Sequence, residues 1–281
     1  MTTKPSIAAP QGSALSRDEL RKLARRAIDE AADRAGAYAH AVRPIYGATA
    51  EGRPEHIGSS ILVDASGTKL IITAAHVIDW NDQSSLYVGL AATELLDAEF
   101  IMSVAPNDNR DSDAIDFAVA RFPEGLLAAL GDATFIPETM IGVPDDPSRH
   151  YFTCIGFPNS QNKKPAPRAR TMRPRRRRYT SVGRPASILP NWARDDTHVL
   201  VDFNSKFSRN STGERLHSGK PVGMSGGAIF DVGPLGALAN LLVPASPRLA
   251  ALCIEGHRDE KVLMGTRIDQ ILATLREQAW L

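Results

Sequence analysis

Three short stretches of the chain carry residue types able to do nucleophilic chemistry. Residues 219–231 read GKPVGMSGGAIFD and frame Ser225 with glycines at 223, 226 and 227. Glycines so placed signal a tight turn, or a backbone that another group must approach closely. A serine hydroxyl is a weak nucleophile, so it needs an adjacent base, and that base needs an acid to orient it. Upstream, LIITAAHVI presents His76 after the small residues Thr73, Ala74 and Ala75. Small residues there let neighbouring backbone pack beneath an imidazole that must stay reachable. A second stretch, DAIDFAVARF, places Asp116 at the head of a strand-like run, with Asp113 three positions earlier as a rival acid.

The five letters GMSGG fit two architectures. They satisfy the G-x-S-x-G pattern of the α/β-hydrolase elbow, which requires a strand before the serine and a helix after it. The residues after Ser225, GGAIFDVGP, read instead as a short strand ended by a Gly-Pro turn. The elbow also places its acid and histidine after the serine, and little chain remains there. The elbow is therefore disfavoured.

The elements that must position these residues follow from periodicity. Residues 1–15 read as a loose tail. Residues 16–36 begin with a capping box, Ser16 with Glu19, and carry Leu20, Leu23, Ala27, Ile28 and Ala31 at helical spacing. One modest apolar stripe implies a helix lying against the main body, with a dimer contact as the other reading. From residue 41 short β-like runs alternate with turns: SSILV, LIITAAHVI, SLYVGL, DFAVARF, YFTCIGF, HVLVDF, GGAIFDV and LAALCI. The chain closes on a helical stripe within 266–279, formed by Ile268, Ile271, Leu272 and Leu275. Many short strands without βαβ alternation imply an all-β, mainly antiparallel sandwich or barrel.

Composition narrows the class. The chain has 281 residues, 43% of them hydrophobic and 23% charged, with a formal net charge of +1. These values suit a globular protein and imply no partner through global charge. The N-terminus shows no apolar signal-peptide core, and the longest apolar run is too short to span a bilayer, so a soluble, cytoplasmic protein without membrane contact is expected. Cys154 and Cys253 lie in apolar runs and read as free buried thiols. No metal-ligand spacing is present among the cysteines and histidines, so neither metal nor cofactor is expected.

Thr-Ala-Ala-His, then Asp-Phe-Ala-Val, then Gly-Met-Ser-Gly-Gly, in that order, resembles the trypsin-like, chymotrypsin-fold serine peptidases, and most closely their bacterial intracellular-type branches. The resemblance spans roughly residues 41–279 by order of elements and is specific in the three blocks. It implies two six-stranded antiparallel β-barrels, with an added N-terminal helix and a C-terminal helix. The first barrel, 41–142, would carry His76 and Asp116; the second, 148–265, would carry Ser225. It implies a serine endopeptidase acting on proteins or peptides through an acyl-enzyme, with a triad of His76, Asp116 and Ser225. The family's Asp-apolar-Ala-apolar pattern favours Asp116 over Asp113. The N–H groups of Gly223 and Ser225 would form the oxyanion hole.

Two departures from secreted relatives are informative. Met224 stands where activatable relatives carry an aspartate that pairs with a cut N-terminus, and Val77 stands where many have a disulfide cysteine. Both agree with a reduced, intracellular enzyme. By the same resemblance Gly219 and Lys220, and Glu255 or His257, would line the primary pocket. Lys220 would favour an acidic residue there and Glu255 a basic one.

Residues 163–178 hold nine Lys or Arg, three prolines and no acid. Such a block reads as an exposed loop of the second barrel. It could be a solvated rim, a cleavage-prone loop, or an anionic docking surface at Arg175, Arg176, Arg177 and Arg178 for nucleic acid or an acidic protein. In the last case the chain would be a binding module on a protease scaffold, with weak or no peptidase activity.

Overall fold

A computed structural model describes residues 15–49, 54–89, 93–131, 133–162, 174–204, 222–235 and 246–281. Helix α1 (Arg17–Gly36) begins with the capping box formed, Ser16 and Glu19 satisfying each other's backbone N–H groups. Its contact with the body is made by its second half, where Ala31, Ala32 and Ala35 are buried. Leu23, expected on the apolar stripe, is 39% exposed. Alanines permit a closer approach than leucines would, and they bring α1 onto strands β9 and β12 defined below.

The first half of the chain forms β1 (Val42–Ala48), β2 (Pro54–Ala65), β3 (Thr68–Thr73), β4 (Tyr87–Gly89), β5 (Thr93–Leu95), β6 (Ile101–Met102), β7 (Ala118–Arg121) and β8 (Ile136–Pro137). Two short helices interrupt them, α2 (Ala75–Ile78) and α3 (Glu124–Ala129). These strands make an eight-stranded sheet in the order β5-β4-β1-β2-β3-β7-β6, with β8 added parallel to β2. β2 and β3 join through Ser66 and Gly67, both at positive φ.

The second half forms β9 (His150–Gly156), α4 (Asn159–Asn162), β10 (Arg177–Arg184), β11 (His198–Asp202), β12 (Ala228–Pro234), β13 (Arg248–His257) and β14 (Val262–Arg267). These six strands close into an antiparallel barrel, β10-β11-β14-β13-β12-β9. Helix α5 (Ile268–Glu277) ends the fold with Ile268, Ile271, Leu272 and Leu275 buried, the stripe read from the sequence.

The chain is thus mostly β, with a closed six-stranded barrel, a second sheet, and a helix at each end. The barrel matches expectation strand for strand in number, whereas the first sheet carries eight strands. Its extra strands, such as β6 and β8 with two residues each, are too short to carry a periodic signal. One apolar core runs across both halves, joining Ile45, Val63 and Val119 to Phe230, Leu252 and Ile254. The two cysteines are free and buried. No helix among the described residues is long and apolar enough to cross a membrane.

The basic run continues into regular structure. Residues 163–173 lie outside the described residues, but Arg177 and Arg178 open strand β10, paired with Gly156 and Ile155. Two of the arginines expected at an anion surface contact the N-terminal segment, one at the turn Ala37–Ala41 that follows α1 and one on α1 itself. Arg176 donates to the carbonyl of Ala39. Arg178 donates to the carbonyl of Ala32 and pairs with Asp33 at 2.6 Å. These contacts draw the charged side chains onto α1 and the turn that follows it, a role that charge density alone does not reveal.

Candidate active site

Strand pairing brings His76 and Asp116 together. β3 and β7 run antiparallel with Thr73 opposite Ala118, so the end of β3 lies beside the start of β7. His76 follows β3 on the one-turn helix α2, and Asp116 sits two residues before β7. The fully buried Ala74 and Ala75 let this turn lie close to the sheet. Both oxygens of Asp116 then meet His76: Oδ1 accepts from the backbone N–H at 3.0 Å, and Oδ2 lies 2.6 Å from Nδ1. An ionised carboxylate can only accept, so the ring proton sits on Nδ1 and Nε2 is left as the acceptor. Asp116 is 6% exposed. Burial pushes the His76 pKa down, but the Asp116 hydrogen bond and charge, helped by Asp79 and Glu255, outweigh it and raise it above the ordinary 6.5.

The glycine frame around Ser225 is a requirement of space as well as of turning. Gly223 has φ +90, and a Cβ there would fall 2.0 Å from Asn159 Oδ1. Gly226 has φ +83, and its Cβ would fall 1.7 Å from the carbonyl oxygen of Ser59. The Gly227 N–H closes the turn onto Met224 O at 2.8 Å. Gly226 N–H donates to Cys253 O and Cys253 N–H donates to Gly227 O, both at 2.7 Å, stitching the turn to β13.

Ser59, fully buried on β2, clamps this turn from the first sheet. Its N–H donates to Ser225 O at 2.7 Å, and its Oγ donates to Gly223 O at 3.2 Å while accepting from Phe157 N–H at 3.0 Å. On the other side Asn159 N–H donates to Val222 O at 2.7 Å. In a trans peptide the C=O and N–H point opposite ways, so anchoring Val222 O on Asn159 turns the Gly223 N–H away from Asn159. Among the described residues, the N–H groups of Gly223 and Ser225 have no protein acceptor. Such donors are available to an oxygen carrying developing negative charge.

His76, Asp116, Gly223 and Ser225 line one cleft of about 600 Å³. Glu255 lines it too, its side chain 54% exposed. His257 is not among the lining residues; it lies against the Trp192 ring, with Nε2 3.3 Å from the Glu255 carboxylate. Gly219 and Lys220 lie outside the described residues. Sequence reasoning missed several neighbours, among them Trp80, Arg110, Asn159 and Arg258 at the cleft. It also missed His56, 1% exposed, whose Nδ1 lies 2.5 Å from Asn159 Oδ1 and whose pKa burial pushes down to about 4. Nothing in the local pattern of these residues marks them; only the fold gathers them. Among the described residues no group of three or more His, Cys, Asp or Glu side chains is placed to hold a metal ion.

The closed barrel, the second sheet ahead of it and the cleft they share define the class of fold, which is chymotrypsin-like. No family model and no curated protein matches the chain. Among solved structures the chain is similar to a Glu endopeptidase in complex with MPD, at 13% identity and a TM-score of 0.44, covering 84% of this chain and 89% of that one. It is also similar to a structure described as "Aromatic interactions drive the coupled folding and binding of the intrinsically disordered Sesbania mosaic virus VPg protein", at 14% identity and a TM-score of 0.42, covering 84% of this chain and 95% of that one. Likeness at this level singles out no branch, bacterial or other, and no substrate.

Proposed function

We propose that the chain is a serine endopeptidase that cleaves peptide bonds through an acyl-enzyme. The observation that carries this reading is the His76–Asp116 pair, 2.6 Å apart, in the same cleft as the glycine-framed Ser225. Ser225 Oγ attacks the carbonyl carbon while His76 Nε2 takes its proton. The oxyanion rests on the N–H groups of Gly223 and Ser225, each such donor contributing about 3–4 kcal/mol to the transition state. His76⁺ then gives its proton to the departing amine, leaving the acyl group on Ser225, and water attacks the ester by the same proton relay. Asp116 holds the imidazole in the required tautomer throughout and stabilises the imidazolium. The chain divides accordingly into a unit at 41–142 that supplies base and acid and a unit at 148–265 that supplies the nucleophile.

Among the described residues of the basic run, Arg176 donates to Ala39 in the turn after α1 and Arg178 engages Ala32 and Asp33 of α1, and no observation favours the binding-module reading. A peptide library turned over by the wild-type chain, with Ser225→Ala beside it, tests the proposal. Cleavage abolished in Ser225→Ala is expected. Equal cleavage by both, or cleavage of activated esters and of no peptide by the wild-type chain, contradicts it.

A further inference from the structure

Asp113, the rival acid of the sequence, does not touch His76. Its side chain is 3% exposed, and hydrogen bonds occupy both of its oxygens. Oδ1 accepts from the N–H groups of Ile115 at 3.1 Å and Asp116 at 3.0 Å. Oδ2 accepts from Ser103 Oγ at 2.5 Å and from Arg110 Nη1 at 2.7 Å. Arg110 continues to Asp79 at 2.9 Å, and Asp79 caps the end of the helix that carries His76. One chain of charges therefore links the turn that bears the acid to the helix that bears the base.

The barrel grips the same turn from the other side. His198 on β11 lies with Nε2 2.7 Å from Ala114 O; its Nδ1 accepts from Arg194 N–H, which leaves the proton on Nε2 to donate. Thr266 on β14 donates to Ile115 O at 2.5 Å. Phe117 N–H donates to Ser103 Oγ at 3.0 Å. This hold has something to resist, because Asp116 sits at φ +36, in a region that L residues with a side chain rarely adopt. Such a conformation persists only where the surroundings over-determine it.

We propose that Asp113 is a positioning residue for the Asp116–His76 pair: its carboxylate, anchored by Ser103 and Arg110, holds the Asp116 peptide in the left-handed conformation from which both Asp116 oxygens reach His76. The proposal rests on the reading of His76 as the base and Asp116 as its orienting acid.

The direct test is the ring titration of His76, followed by NMR in the full chain. The charged groups acting on that ring are Asp116, Asp79 and Glu255, and none of them is removed by substitution at Asp113. In Asp113→Ala the Asp116 contact loosens, so the His76 midpoint falls towards 6.5. Asp113→Asn keeps an acceptor for the two N–H groups and restores most of the difference. On a cleaved peptide, Asp113→Ala lowers kcat by up to about 10²-fold while KM moves little, because a misplaced base affects the reacting state rather than binding. A folded Asp113→Ala chain whose His76 titrates as in wild type overturns the proposal, since a purely structural cap would leave the midpoint in place. Should Asp113→Ala unfold, Ser103→Ala carries the same test with the same two outcomes, because it removes a donor to Asp113 and the acceptor of Phe117. Equal cleavage by wild type and Ser225→Ala would instead remove the peptidase reading, and the titration result would stand apart from it.

Discussion

His76 works between two opposing influences, burial that favours its neutral form and carboxylates that favour its charged form, and the second prevails. A general base must be neutral to act, so kcat/KM should rise with pH through a midpoint above 6.5. Asp116→Asn should move that midpoint down and lower kcat by about 10⁴-fold, the scale seen when a triad loses its orienting carboxylate. A pH–rate profile on one peptide reads both effects, and a midpoint at or below 6.5 in the wild-type chain would contradict the account. The same shift has a stability sign. Because the folded-state pKa is raised, His76 stabilises the fold below its unfolded value, and that contribution is lost as pH rises through the folded one. At this scale the sequence was informative where a side chain acts through its own identity. His76, Asp116 and Ser225 stand out by type and local pattern. Asp113 was visible only as a competitor of Asp116, because its partners Ser103 and Arg110 reach it through a folded loop that no spacing rule describes.

Among elements, the turn at Ser225 shows most clearly how sequence constrains geometry. Gly67 and Gly226 share the same φ of +83, yet a Cβ on Gly67 would meet nothing within 4 Å while one on Gly226 would meet Ser59 O at 1.7 Å. Gly67→Ala should therefore cost only the backbone strain, about 1–2 kcal/mol. Gly226→Ala must also displace the β2 backbone from beneath the turn, and should cost at least about 3 kcal/mol more. Urea unfolding of the two variants decides the matter, and equal losses would show that the turn does not depend on close contact with Ser59. The sequence pattern offered close approach as one reading of the glycines around Ser225 but not its agent. Ser59 comes from a strand far upstream, and its partnership with Gly223 and Ser225 exists only after the first sheet meets the barrel. Helix α1 teaches a related lesson. Its cap was legible, since Ser16 and Glu19 act within one turn, whereas its buried face was legible only in part: Ala31 of the expected stripe is buried, but Leu23 is exposed and Ala32 and Ala35 were not read on it. The alanines that dock it are set by the shape of β9 and β12 and by Arg178 reaching Ala32 and Asp33.

For the whole molecule, the cleft is a joint product of two halves. The first sheet supplies His76 and Asp116, the barrel supplies Gly223, Ser225 and Glu255, and a shared apolar core fixes one half against the other. The order of the three motifs along the chain was enough to anticipate the fold class, because the fold's connectivity dictates that order. The pocket that chooses a substrate was not legible in the same way. Of its expected walls, Glu255 lines the cleft whereas His257 packs on Trp192, and Gly219 and Lys220 lie outside the described residues. At the described end of the arginine run, charge density did not reveal that Arg177 and Arg178 open strand β10 or that Arg178 reaches helix α1. The central claim, that Ser225 is a nucleophile activated by His76, is tested most directly by reaction with a fluorophosphonate probe and peptide mapping of the adduct by mass spectrometry. The account predicts one adduct, on Ser225, absent from Ser225→Ala and strongly slowed in His76→Ala. An adduct that persists in Ser225→Ala, or a folded wild-type chain that takes up no probe, would contradict it.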